Sequence, residues 1–168
     1  GTETLNGLFF AGHDNAFGTG PFTFATGGSA NLSSRIGVLG AGVQRTLANN
    51  IILRNSMVVV AGGTLTFTGS VDLGWGNGAA SGSPYNIKVS ASTTFTGRVF
   101  NGGIIKTGTG PLTLAGTNAY TGPTIVAAGQ LNVNTPLRPV VSQLSVASTG
   151  SVAVLAAAPS AAPVVVGE

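Results

Sequence analysis

Five short stretches of this chain alternate an apolar residue with a small polar one, and glycine brackets nearly all of them. They are PFTFATG (21–27), GTLTFTGSV (63–71), STTFTGRV (92–99), GPLTLAG (110–116) and GQLNVN (129–134). A period of two puts the apolar side chains on one face of a strand and Thr, Ser or Asn on the other, which no helical stripe can do. Thr and Val suit that pleated surface, because their branched Cβ is crowded in a helix. NNIILRNSMVVVAGG (49–63) is denser in apolar residues, as expected of strands covered more completely. The best helix candidate, VQRTLANNIILRN (43–55), is rich in Asn and lacks good caps. Glycines recur between these runs at 18–20, 27–28, 40–42, 62–63, 74–78, 102–103 and 108–110, where they permit the positive φ angles of tight corners. Short strands with regular corners predict an all-β fold.

The corners also repeat. LFFAGHDNAFGTGPFTFATGG (8–28) aligns with LTLAGTNAYTGPTIVAAGQ (112–130) when two one-residue gaps are allowed. Ala11-Gly12 then matches Ala115-Gly116, Asn15-Ala16-Phe17 matches Asn118-Ala119-Tyr120, and Gly20-Pro21 matches Gly122-Pro123. A sandwich would need longer strands and hairpin turns. A solenoid needs short strands, a glycine corner between them, and like side chains at equal positions, which fits better. Each coil buries only one row of Leu, Val, Ile or Phe, so coils must stack to make a core. At about 22 residues per coil the chain makes roughly seven coils, a rod on the order of 35 Å long.

Composition excludes several alternatives. Charged residues are 7% of the chain and apolar residues 43%, unlike a disordered segment. The net charge of +3 and pI near 10.0 come from seven cations set against four acids. The cations are dispersed along the chain, whereas nucleic-acid binding needs them clustered. Cysteine is absent, so there is neither a disulfide framework nor a thiolate metal site. No Met opens the sequence and residues 1–20 lack a signal-peptide pattern, which reads as a fragment or a matured product. The run VAVLAAAPSAAPVVVG (152–167) is broken by Pro159 and Pro163. It is shorter than the roughly 18 unbroken residues of a membrane helix, so no membrane insertion is expected.

The stretch 102–134 carries Gly102, Gly103, Ile104, Lys106, Gly108, Gly110, Leu112, Leu114, Gly116, Asn118, Tyr120, Gly122, Thr124, Val126, Ala128, Gly129 and Leu131 in fixed register. In this it closely resembles the autotransporter-associated β-strand repeat of type V passenger domains and other bacterial surface proteins. Pro123 and Ala127 depart mildly from the pattern, where Gly and Asn are common. Residues 8–30 resemble a looser copy, and RTLANNIIL (45–53) resembles the linking coils of that family. The resemblance implies a right-handed parallel β-helix displayed outside the cell. It treats residues 1–168 as one solenoid segment of a larger or processed protein.

Candidate sites are few. His13-Asp14 is the only histidine beside an acid, but it falls on a repeat corner and no Gly-x-Ser-x-Gly elbow accompanies it. A glycoside hydrolase needs two carboxylates at a defined separation, which here means Asp14 and Asp72 meeting across coils. Calcium needs several oxygen ligands with carboxylates among them, and four acids in all do not supply them. The insertion GWGNGAASGSPYN (74–86) sets Trp75 and Tyr85 among Gly, Ser and Asn. It reads either as a loop that binds sugar or protein, or as a long corner whose Trp75 covers a coil. Lys106 is expected at a coil edge, guarding a strand against stray pairing. Arg35, Arg45 and Arg54 are expected to do likewise, or to bind acidic surface polysaccharide.

The sequence therefore predicts a non-catalytic extracellular β-solenoid: a passenger stalk, adhesin or surface-coat component without cofactor or metal. Its expected partners are other copies or flanking repeats stacked end to end into filaments, and a surface glycan or host protein. The competing readings are a carbohydrate-active β-helix enzyme and a glycan-binding module centred on Trp75 and Tyr85.

Overall fold

The computed structural model describes residues 2–5, 7–25, 34–74, 84–134, 144–154 and 164–166. The chain opens with β1 (Thr2–Leu5), β2 (Leu8–Ala11), β3 (Phe22–Ala25), β4 (Ser34–Val38), β5 (Gln44–Leu47), β6 (Ile51–Leu53) and β7 (Met57–Val59). It continues through β8 (Thr64–Phe67), β9 (Val71–Asp72), β10 (Pro84–Val89), β11 (Thr93–Phe95), β12 (Val99–Asn101), β13 (Gly103–Thr107) and β14 (Leu112–Leu114). The last strands are β15 (Asn118–Tyr120), β16 (Thr124–Val126), β17 (Gly129–Val133), β18 (Leu144–Val146), β19 (Gly150–Val154) and β20 (Val164–Val166). The described residues contain no helix, and hence none that could cross a membrane. Residues 43–55, the best helix candidate, contribute β5 and β6 instead.

Successive strands visit three sheets in turn. Sheet A has the order β1-β3-β6-β9-β12-β15, sheet B β2-β4-β7-β10-β13-β16-β18-β20, and sheet C β19-β17-β14-β11-β8-β5. Every pairing is parallel, the arrangement of a parallel β-helix. Hydrogen bonds therefore run between windings, not along a hairpin. Partners such as Val99 and Asn118, or Lys106 and Val126, lie about 20 residues apart along the chain. Val58 and Lys88 pair across a longer interval of the chain.

All five alternating stretches read from the sequence are strands, and their parity sets what is buried. In sheet C, Leu47, Phe67, Phe95, Leu114 and Val133 form one inward column in register. Each is no more than 1% exposed. Thr46, Thr66, Thr94, Thr113 and Asn132 form the outward column beside it. Phe67 and Phe95 meet edge-on at 5.7 Å between centroids, a geometry that aromatic rings favour. Polar side chains link windings as well: Asn132 Nδ2 donates to Thr113 Oγ1 at 3.2 Å, and Thr107 Oγ1 to Asn86 Oδ1 at 2.6 Å.

The internal alignment of 8–28 with 112–130 does not survive as structural equivalence. Leu112–Leu114 is a strand of sheet C, whereas Leu8–Ala11 is in sheet B. Asn118–Tyr120 is a strand of sheet A, but residues 15–17 lie in a turn held by Ala16 N–H to His13 O (3.2 Å) and Gly18 N–H to Asn15 O (3.1 Å). The two copies share corner chemistry but sit out of phase on the coil, because 12–21 folds as a loop where a sheet C strand would stand.

Candidate functional site

Lys106 is the most unusual side chain in the interior. It shares strand parity with Ile104, so β13 turns both inward, where Lys106 is 0% exposed. Its column in sheet B otherwise holds Ser34, Met57, Ile87, Val126, Val146 and Val166. The expected role at a coil edge is therefore overturned: Lys106 is internal. Its stem packs with the core, and its ammonium donates to three backbone carbonyls, those of Thr107 (3.0 Å), Gly108 (2.8 Å) and Ala128 (3.0 Å). Three N–H groups and three carbonyls satisfy one another, as a buried cation requires.

Those carbonyls belong to corners on successive windings. Gly108 follows β13 and Gly129 opens β17; both adopt left-handed φ, +79° and +70°. A Cβ at Gly129 would stand 2.3 Å from Gly108 O and 2.9 Å from Lys106 Nζ, so only glycine lets the two corners close around the ammonium. The backbone completes the link, since Ala127 N–H donates to Lys106 O at 2.9 Å. Burial lowers the Lys106 pKa from 10.5 to about 8. Fully enclosed and fully engaged, this amine staples two windings and offers no access for a substrate.

The other candidate residues are dispersed. Trp75 lies outside the described residues. Tyr85 belongs to β10 itself, half-buried against the core, and its ring lies where a side chain on Gly74 would otherwise stand. His13 and Asp14 form the predicted turn: His13 Nδ1 accepts from Asn15 N–H at 3.2 Å, and Asp14 Oδ1 accepts from Thr46 N–H at 3.0 Å. Asp72, on sheet A, accepts from Asn101 Nδ2 at 2.7 Å and from Gly74 N–H at 3.0 Å. Asp14, in the loop after β2, and Asp72, on β9 of sheet A, are thus each held by their own donors. Among the described residues no three His, Asp or Glu side chains gather as a metal site would require.

Arg45 lies, as expected, on an edge strand, β5 of sheet C, but in its inward column opposite Leu65, half-buried, with its Nε buried and without a hydrogen-bond partner among the described residues. Arg35 is exposed on the outer face of sheet B. The Lys106 staple and the contacts of Asp14 were missed on the sequence. Strand parity, counted from Ile104, was the signal that would have turned Lys106 inward.

With this geometry in place, one comparison is decisive for the segment that holds it. Residues 104–133 match the passenger-associated-transport-repeat family. The match runs from β13 to β17 and takes in Lys106, both left-handed glycines and Ala128. The structural device and the repeat are thus the same stretch of chain. Comparison with curated proteins and with solved structures gives no match.

Proposed function

We propose that this chain is a non-catalytic β-helical segment of a bacterial surface or secreted protein, serving as a passenger stalk, adhesin or surface-coat component. The observation that carries this reading is the passenger-associated-transport-repeat at 104–133, built in register into a continuous parallel stack. The internal architecture supports it. The interior is filled by inward columns of Leu, Val, Ile and Phe, and the one buried lysine is consumed by backbone carbonyls. A stalk needs that kind of repetition, because each winding is stabilised by its neighbours and length is gained without a new core. Flanking repeats of the same protein are the partners this reading implies, with a glycan or host protein as the target of display.

The test is localisation. Antibody raised against this segment should label intact cells that carry the gene, and external protease should remove the signal. Labelling only after lysis would refute surface display. An adhesin role is read separately, by binding of the purified chain to a glycan array and to host matrix proteins, with Trp75→Ala as the variant that probes the insertion.

A further inference from the structure

The chain holds three Asn-Gly pairs, at 6–7, 77–78 and 101–102, and the last lies wholly within the described residues. Asn101 ends β12, where the coil turns from sheet A toward sheet B. Among the described residues it is the one non-glycine with a left-handed φ, +69°. Asparagine is one of the few residues that accept this backbone. Gly102, which follows it, is buried.

Such a pair carries a reaction of its own. The Gly102 nitrogen, giving its proton to solvent base, attacks Asn101 Cγ and closes a cyclic imide. The Cγ–Nδ2 bond breaks, and that nitrogen leaves as ammonia. Water then opens the ring at either carbonyl and leaves aspartate or isoaspartate at position 101. Water is the only co-reactant. Glycine makes the pair prone to this, because no side chain shields the attacking nitrogen. The attack requires the Asn101 side chain to swing over its own following peptide.

The folded coil opposes that swing from both sides. Asn101 Nδ2 donates to Asp72 Oδ1 at 2.7 Å, and the same oxygen accepts from Gly74 N–H at 3.0 Å. Asp72 lies on the preceding winding, where β9 pairs with β12. The following winding pins the peptide: Thr121 N–H donates to Asn101 O at 3.1 Å and Gly122 N–H to Gly102 O at 2.8 Å. These bonds exist only while neighbouring windings are stacked, and the product cannot restore them. Aspartate at 101 sets a carboxylate against Asp72 where a donor stood. Isoaspartate adds a backbone carbon, which shifts the next carbonyls away from Thr121 and Gly122.

We propose that Asn101-Gly102 is a conditional modification site, guarded by Asp72 in the stacked coil and deamidated once these windings part, after which the corner cannot close as before. Unwinding thus leaves a permanent mark on the chain.

The experiment holds the full chain in mildly alkaline buffer and reads conversion of Asn101 by peptide mapping in a mass spectrometer. In the folded parent, conversion is expected to be at least roughly tenfold slower than in the same chain unfolded in urea, since a charge-assisted hydrogen bond must first be given up. Asp72→Ala, its strand content confirmed by far-UV circular dichroism, should raise the folded-state rate roughly tenfold. Asp14→Ala, which removes a carboxylate contact elsewhere in the coil, should leave the rate unchanged. Equal rates in folded and unfolded parent would overturn the proposal. So would a folded Asp72→Ala chain that converts no faster than the parent, or equal acceleration by Asp14→Ala. Should Asp72→Ala fail to fold, the charge swap decides. Asn101→Asp should lower the urea midpoint, and Asp72→Asn/Asn101→Asp, which pairs an amide with a carboxylate again, should recover part of the loss. A midpoint that Asn101→Asp leaves unchanged, or that the swap does not recover, would refute the guard.

Discussion

Replacing Lys106 by Met separates the ammonium from its stem. Met preserves most of the buried length and volume, so little cavity opens, but it donates nothing to the carbonyls of Thr107, Gly108 and Ala128. Two opposing effects set the magnitude. A lysine pKa lowered to about 8 implies that burial penalises the charged form, by about 3 kcal/mol, and Met relieves that penalty. Against it, three carbonyls inside the corners lose a charged donor, each left unpaired at about 1–3 kcal/mol. The carbonyls outweigh the charge, and at pH 7 Lys106→Met should lower the unfolding free energy by about 2 kcal/mol. The pH dependence is the sharper test. Because the folded-state pKa is lowered, the unfolded chain binds the extra proton between pH 8 and 10.5, so the parent gains stability as pH rises through that window. The neutral amine still donates two hydrogens there. Urea denaturation followed by far-UV circular dichroism at pH 7.0 and 9.5 should show the parent stabilised at the higher pH and the Met variant without that gain. Equal stability of the two proteins at pH 7, or a matching rise in both, would refute the staple.

Two further perturbations probe the same repeat. Gly129→Ala combines a left-handed φ of +70° with a Cβ 2.3 Å from Gly108 O and should cost about 3 kcal/mol by denaturant melt. Gly12→Ala, which meets nothing within 4 Å, should stay within about 0.5 kcal/mol of the parent, and equal effects at both sites would sink the corner argument. Tyr120, 1% exposed, shares a 2.7 Å hydrogen bond with Thr124 Oγ1, and burial raises its pKa to about 12. Its contribution is present below pH 10 and lost as pH rises toward 12, so Tyr120→Phe should cost about 1 kcal/mol at neutral pH and flatten the alkaline decline. An unchanged decline would show that the phenol is not its source.

Much of the fold was legible because a solenoid writes its geometry locally. The five alternating stretches became β3, β8, β11, β14 and β17, and the Leu-Thr-Leu or Thr-Thr-Phe triplets within them show which residues stack. What was not legible depended on phase. The likeness of 8–28 to 112–130 was chemical, since Gly, Asn and an aromatic serve a corner on any sheet, and it carried no information on which sheet that corner joins. Lys106 was misplaced for a related reason. Its charge argued for the surface, while its parity with Ile104 argued for the interior, and only the convergence of three carbonyls makes parity win. The site reading suffered most, because Asp14, Gly18 and Gly20 are far in sequence from Thr46 and Asn49 and meet them only through the winding.

Alternation of period two, glycine at the corners and the scarcity of charge determined by themselves that this chain would be all-β and repetitive, because they act between adjacent residues. The register of the windings, the closing of the corners around one ammonium and the anchoring of residues 12–21 by Asp14 and Asn49 were decided by the tertiary structure. These depend on which backbone groups remain unpaired once neighbouring windings have stacked, and that is a property of the assembled coil.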